Sequence, residues 1–165
     1  MKLIFVLFPG LFLFLTGFMV GGYKMAHKYC QRLNECRLEN SKNQYWVRVY
    51  DMWMMTKQSS KSIENYLLEN GIKSVAIYGA LFLGTRLYYE LKDSSVNVKY
   101  IFDKNPCIGM VGVEVKNPDS FNYAEVDAVI VTALFTYDEI EKTLKSKGYK
   151  RVIAFDEILY DMLQE

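Results

Sequence analysis

Two glycines five residues apart, and an aspartate nineteen residues beyond the second, are the side chains whose spacing could do chemistry. Gly79 and Gly84 lie in Ile77-Tyr78-Gly79-Ala80-Leu81-Phe82-Leu83-Gly84, and the aspartate is Asp103. The apolar run Val75-Ala76-Ile77 stops at Gly79, and a helical pattern starts near Phe82 with Leu83, Leu87 and Leu91 four residues apart on one face. A strand, a tight glycine turn and a helix point the free N–H groups of the helix's first turn at a phosphate. The fingerprint for a pyrophosphate at such a turn is G-x-G-x-x-G. Gly79 fills its first position and Gly84 its third, but Leu81 stands at the second, where bare backbone lets the pyrophosphate approach. Asp103 falls where such a unit takes the ribose hydroxyls. An aspartate before Asn105-Pro106 is equally a turn former.

These residues need a sheet to position them. Residues 98–102 read as a second strand, closed by Asp103-Lys104-Asn105-Pro106. Residues 113–115 read as a short third, reached through Gly109 and Gly112. After the turn Asn117-Pro118-Asp119, Ala128-Val129-Ile130-Val131-Thr132 is an uninterrupted apolar strand, typical of a sheet buried on both faces. Residues 137–147 form a helix with Ile140 and Leu144 inward, and Asp138 and Glu139 suit its dipole. Gly148 ends it, residues 152–155 make a fifth strand, and Asp156 caps a last helix to Leu163. Alternating strands and helices predict an α/β fold with a five-stranded parallel sheet in the order 3-2-1-4-5. A ligand would lie at its carboxyl edge, lined by Gly79, Ala80, Leu81, Phe82, Asp103 and the turn Thr132-Ala133.

The chain before this sheet is of another kind. Residues 3–23 hold no charge, and about 21 helical residues span roughly the 30 Å of a bilayer core. The competing reading, a cleaved signal peptide, has only Val20 and Gly22 as a poor cleavage site. Lys24, Lys28, Arg32, Arg37 and Lys42 follow the run, which places the C-terminal side in the cytoplasm by the positive-inside rule. Residues 24–57 contain no proline or glycine, so they form one long helix or two in succession. Tyr29, Leu33 and Cys36 begin a heptad stripe, but the next positions are Asn40 and Asn43, which does not support a sustained coiled coil. Trp46, Tyr50 and Trp53 recur at helical spacing, as in a helix that docks on its own domain or on a second copy. Ser62 is positioned to cap a short helix that Asn70-Gly71 ends. The expected organisation is an anchor over residues 1–23, a helical neck over 24–61 and an α/β domain over 62–165.

With 165 residues and a net charge of +1, the chain is balanced overall, so a nucleic-acid partner gains no support from an overall basic surface. Cys30, Cys36, Cys107 and a single histidine, His27, have no metal-ligand spacing, and the odd cysteine count argues against a disulfide framework. No catalytic residue is assigned. Tyr100-x-x-x-Lys104 matches a reductase motif only in spacing, since it runs along a strand into a turn.

The phrases Ile77-Tyr78-Gly79-Ala80, Leu83-Gly84, Tyr100-Ile101-Phe102-Asp103-Lys104-Asn105 and Asp127-Ala128-Val129-Ile130-Val131-Thr132 resemble a known family. It is the compact Rossmann-like nucleotide-binding domain found with bacterial cell-envelope and capsular polysaccharide biosynthesis proteins, and the likeness covers about residues 62–163. The resemblance implies NAD(P) or another nucleotide as ligand and a role near glycan synthesis, with Gly79 and Gly84 as phosphate-loop glycines and Asp103 at the ribose. Leu81 departs from the pattern. Three functions follow as expectations. The first is a membrane-anchored nucleotide-binding module, accessory or regulatory to a glycan-biosynthesis protein. The second is a non-binding Rossmann scaffold for protein interaction or homodimerisation through the neck. The third is an NAD-dependent epimerase or reductase, for which the chain has no second domain to supply a substrate pocket.

Overall fold

The computed structural model describes residues 2–105, 113–119 and 125–164; of the side chains of residues 2–17 nothing is described. The chain divides into two compact units, residues 1–48 and residues 49–165. Helix α1 (Lys2–Gln58) is unbroken, as expected of a stretch without interior helix breakers after residue 22. The apolar run over residues 3–23 falls largely on side chains outside the described residues. Among the described residues no helix is long and apolar enough to cross a membrane.

The second unit is α/β. After α2 (Ile63–Glu69) come β1 (Ser74–Tyr78), α3 (Phe82–Leu91), β2 (Asn97–Phe102), β3 (Val115–Lys116) and β4 (Ala128–Val131). A 3-10 turn (Leu134–Thr136), α4 (Tyr137–Ser146), β5 (Val152–Ala154) and α5 (Phe155–Gln164) complete it. All strand pairs are parallel and the order is β3-β2-β1-β4-β5, as the sequence predicts. The third strand is two residues long and begins at Val115, where Val113 was expected. The approach through Gly109 and Gly112 lies outside the described residues. The last helix starts at Phe155, so Asp156 sits in its first turn and is not its cap. Ser62 does take the N-cap position of α2, but its hydroxyl makes no capping bond. Gly71 and Gly148 hold left-handed φ values of 72° and 95° just beyond α2 and α4, the conformation that stops a helix at little steric cost to glycine.

Side chains alternate across the sheet. Ala76, Tyr78, Phe102, Val129 and Val131 form one core with Ile140 and Leu144 of α4 and with Tyr149 and Val152. Val75, Ile77, Ile101, Ala128 and Ile130 are buried on the opposite face. The end of α1 belongs to this unit: Val49, Trp53 and Thr56 are buried. The Trp53 indole meets Phe155 edge-on at 4.8 Å and donates its N–H to Glu90 at 2.9 Å. Of the aromatic stripe, Trp53 therefore docks on its own domain, Tyr50 stacks beside it, and Trp46 belongs to the first unit.

Candidate functional site

The glycine turn forms where β1 ends. Gly79 has φ of 108°, and a Cβ built on it would stand 2.6 Å from Thr132 Oγ1. Gly84, in the first turn of α3, lies so close to the turn that a Cβ there would be 1.8 Å from the Gly79 carbonyl oxygen and 3.0 Å from Thr132 Oγ1. The Thr132 hydroxyl donates to Tyr78 O at 2.9 Å and lies 3.2 Å from Gly79 O, while the Thr132 N–H donates to Tyr78 O at 2.9 Å. Gly79, Gly84 and Thr132 thus form one close-packed knot that needs no ligand to explain its composition.

Asp103 does reach the turn. Its Oδ2 accepts the Ala80 N–H at 2.8 Å and its Oδ1 accepts the Asn105 N–H at 2.8 Å. The first bond ties the end of β2 to the residue after Gly79, and the second is the local turn that Asp-x-Asn favours. Ala80 is buried, whereas Leu81 is 64% and Phe82 83% exposed. Leu81 has an extended backbone at the N-cap of α3 and makes no side-chain capping bond; its carbonyl accepts the Thr85 N–H at 2.8 Å. The fold therefore brings Gly79, Ala80, Gly84, Asp103 and Thr132 into one hydrogen-bonded and packed group, with Leu81 and Phe82 projecting from it.

Sequence reasoning missed the charge of this edge. In a parallel sheet the helices after β4 and β5 begin at the same edge as α3. That sets Asp138 and Glu139 of α4, and Asp156 and Glu157 of α5, at first-turn positions there along with Asp103. Each pair places negative charge in the first turn of a helix whose end could otherwise attract a phosphate. The signal was present as Asp103 directly after β2 and as the Asp-Glu pairs that open the helices following β4 and β5. A depression of about 180 Å³ lies beside the edge, lined by Leu134, Phe135, Thr136, Tyr137, Asp138 and Glu139. That is below the few hundred Å³ usual for small-molecule sites. Burial pushes the Tyr137 phenol up to about 12, with the Glu141 and Glu157 carboxylates adding to it. Burial also raises Tyr78, helped by Asp119 and Asp103. Among the described residues no group of His, Cys, Asp and Glu side chains could hold a metal ion. Tyr100 lies on β2 and Lys104 beyond its end, so the reductase spacing has no helix under it. No family, curated protein or solved structure matches this chain.

Proposed function

We propose that the chain is a membrane-anchored Rossmann-like scaffold that acts by protein interaction, keeping the frame of a dinucleotide-binding half without its phosphate chemistry. The observation that carries this reading is the accounting at the glycine turn. Both fingerprint glycines are demanded by internal packing, the Ala80 N–H and the Thr132 hydroxyl have internal acceptors, and the one position that a pyrophosphate alone needs bare holds Leu81. The residues present therefore fit a dinucleotide poorly. Five carboxylates at the same edge oppose a second anion. The resemblance in the strand and turn phrases supports a place near cell-envelope polysaccharide synthesis. The uncharged run over residues 3–23 and the basic residues after it support a single-span anchor with a cytoplasmic domain.

A second reading, nucleotide binding, is favoured by one arrangement: Asp103 and the glycine turn meet at the point where strand order reverses between β1 and β4. A thermal-shift titration of the full chain in detergent with NAD, NADP and UDP-sugars separates the two. A nucleotide at one hundred times its dissociation constant stabilises by about 2.7 kcal/mol, or several degrees. The scaffold reading expects no shift from the native chain at millimolar ligand. A clear shift that Leu81→Gly enlarges would replace it with the binding module.

A further inference from the structure

We propose that α1 pairs in parallel and in register with α1 of a second copy of this chain, through the face bearing Tyr29, Leu33, Cys36, Asn40, Asn43 and Val47. These residues follow one another by four, three, four, three and four, the spacing of heptad core positions, with Leu33, Asn40 and Val47 at a and Tyr29, Cys36 and Asn43 at d. From sequence, the two asparagines interrupt the stripe. In the structure the helix runs straight through them, and Val47 resumes the apolar pattern in the same register. All six side chains are exposed, with Tyr29 at 61%, Leu33 at 55% and Val47 at 69%. The next heptad positions in sequence, Tyr50 and Met54, are exposed as well, while Val49, Trp53 and Thr56, which fall off this register, are the residues of α1 that its own α/β unit buries.

The asparagines choose the occupant. An amide side chain is donor and acceptor at once, so Asn40 satisfies Asn40 of an identical helix aligned with it, and Asn43 does the same. An apolar partner, or a copy displaced by one heptad, would leave these amides buried without partners, which costs more than the bonds contribute when made. A polar residue at a core position is the device by which two-stranded coils fix register and number. The parallel orientation rests on the anchored reading of residues 3–23, since two copies entering the same membrane must point the same way. Arg32 and Arg37 fall at flanking g and e positions and repel between copies, so association strengthens as salt screens them.

Cysteine cross-linking of the full chain in lipid vesicles tests this. Cys36 lies at a core d position and Cys30 at a flanking e position, and both are exposed. With Cys107 and the other thiol replaced by serine, mild copper–phenanthroline oxidation should join two Cys36 chains about tenfold faster than two Cys30 chains, because a disulfide needs close, facing Cβ atoms. Leu33→Lys should abolish the Cys36 product without unfolding the exposed helix, and raising salt should increase it. Equal rates for the two thiols, or a Cys36 product untouched by Leu33→Lys, would overturn the pairing. An alkaline wash of the same vesicles reads the anchor separately: protein that washes off yet cross-links through Cys36 overturns the anchor and leaves the pairing standing.

Discussion

Each end of β1 is clasped by an aspartate from a neighbouring strand segment, and the two clasps are worth comparing. At the amino end Asp127 Oδ2 accepts the Lys73 N–H at 2.9 Å, the Ser74 N–H at 2.7 Å and the Ser74 hydroxyl at 2.9 Å. At the carboxyl end Asp103 divides its two oxygens between the Ala80 and Asn105 N–H groups. The chemistry is the same, a carboxylate receiving backbone donors. Only Asp103 stands at the edge where parallel sheets hold ligands, and that placement alone gives it a functional look. What differs is water: Ala80 is buried beneath the turn, while Asp127 and Lys73 are exposed and Ser74 is only half-buried.

The largest effect should come from Gly84→Ala. Alanine in place of glycine favours an isolated helix by about 1 kcal/mol, yet here the new methyl would meet the Gly79 carbonyl at 1.8 Å. We expect a net loss of about 3 kcal/mol, read by urea denaturation; a gain would mean that the knot at the carboxyl end does not exist. Gly79→Ala should cost about 2 kcal/mol for its left-handed backbone and its contact with Thr132. Adding Thr132→Ala should remove part of that loss, a coupling that a double-mutant cycle would measure.

Between the clasps, Asp103→Ala should cost about 1–2 kcal/mol because it strands a buried N–H group, and Asp127→Ala less than about 1 kcal/mol because water replaces the carboxylate. Equal losses would erase the distinction between the two ends. The smallest effect is in acid. The Lys73 N–H first, then the Ser74 hydroxyl and N–H, hold the Asp127 carboxyl below its usual range. Its contribution is therefore complete above the ordinary aspartate value of about 3.9 and fades as pH falls below that through the folded value. Native and Asp127→Asn chains compared by thermal melting should differ at pH 6 and converge in strong acid.

The parallel order of the sheet was legible because residues 75–77 and 128–132 are apolar runs bounded by Gly79 and Asp127, and such runs belong to strands covered on both sides. The edges of elements were less so. Asp156 has the residue type of a cap, but Phe155 buries itself in the core and the helix starts there, two residues earlier than a cap at Asp156 would set it. At the candidate site, spacing located Gly79, Gly84 and Asp103 together. Spacing could not show that Thr132 fills the space against both glycines, since that contact joins residues about fifty positions apart and exists only after β4 pairs with β1. Nor could the stripe over Trp46, Tyr50 and Trp53 reveal that Trp53 faces Phe155, about a hundred residues away.

The knot of Gly79, Gly84 and Thr132 also bears on what mutation and selection can do to such a turn. A chain selected only to fold must keep both glycines, because every replacement strikes either the threonine or the neighbouring carbonyl. The position between them, where Leu81 stands in extended backbone facing solvent, carries no such demand and is free to drift. A turn of this build can lose its ligand and still display, generation after generation, the two glycines by which the ligand would be inferred.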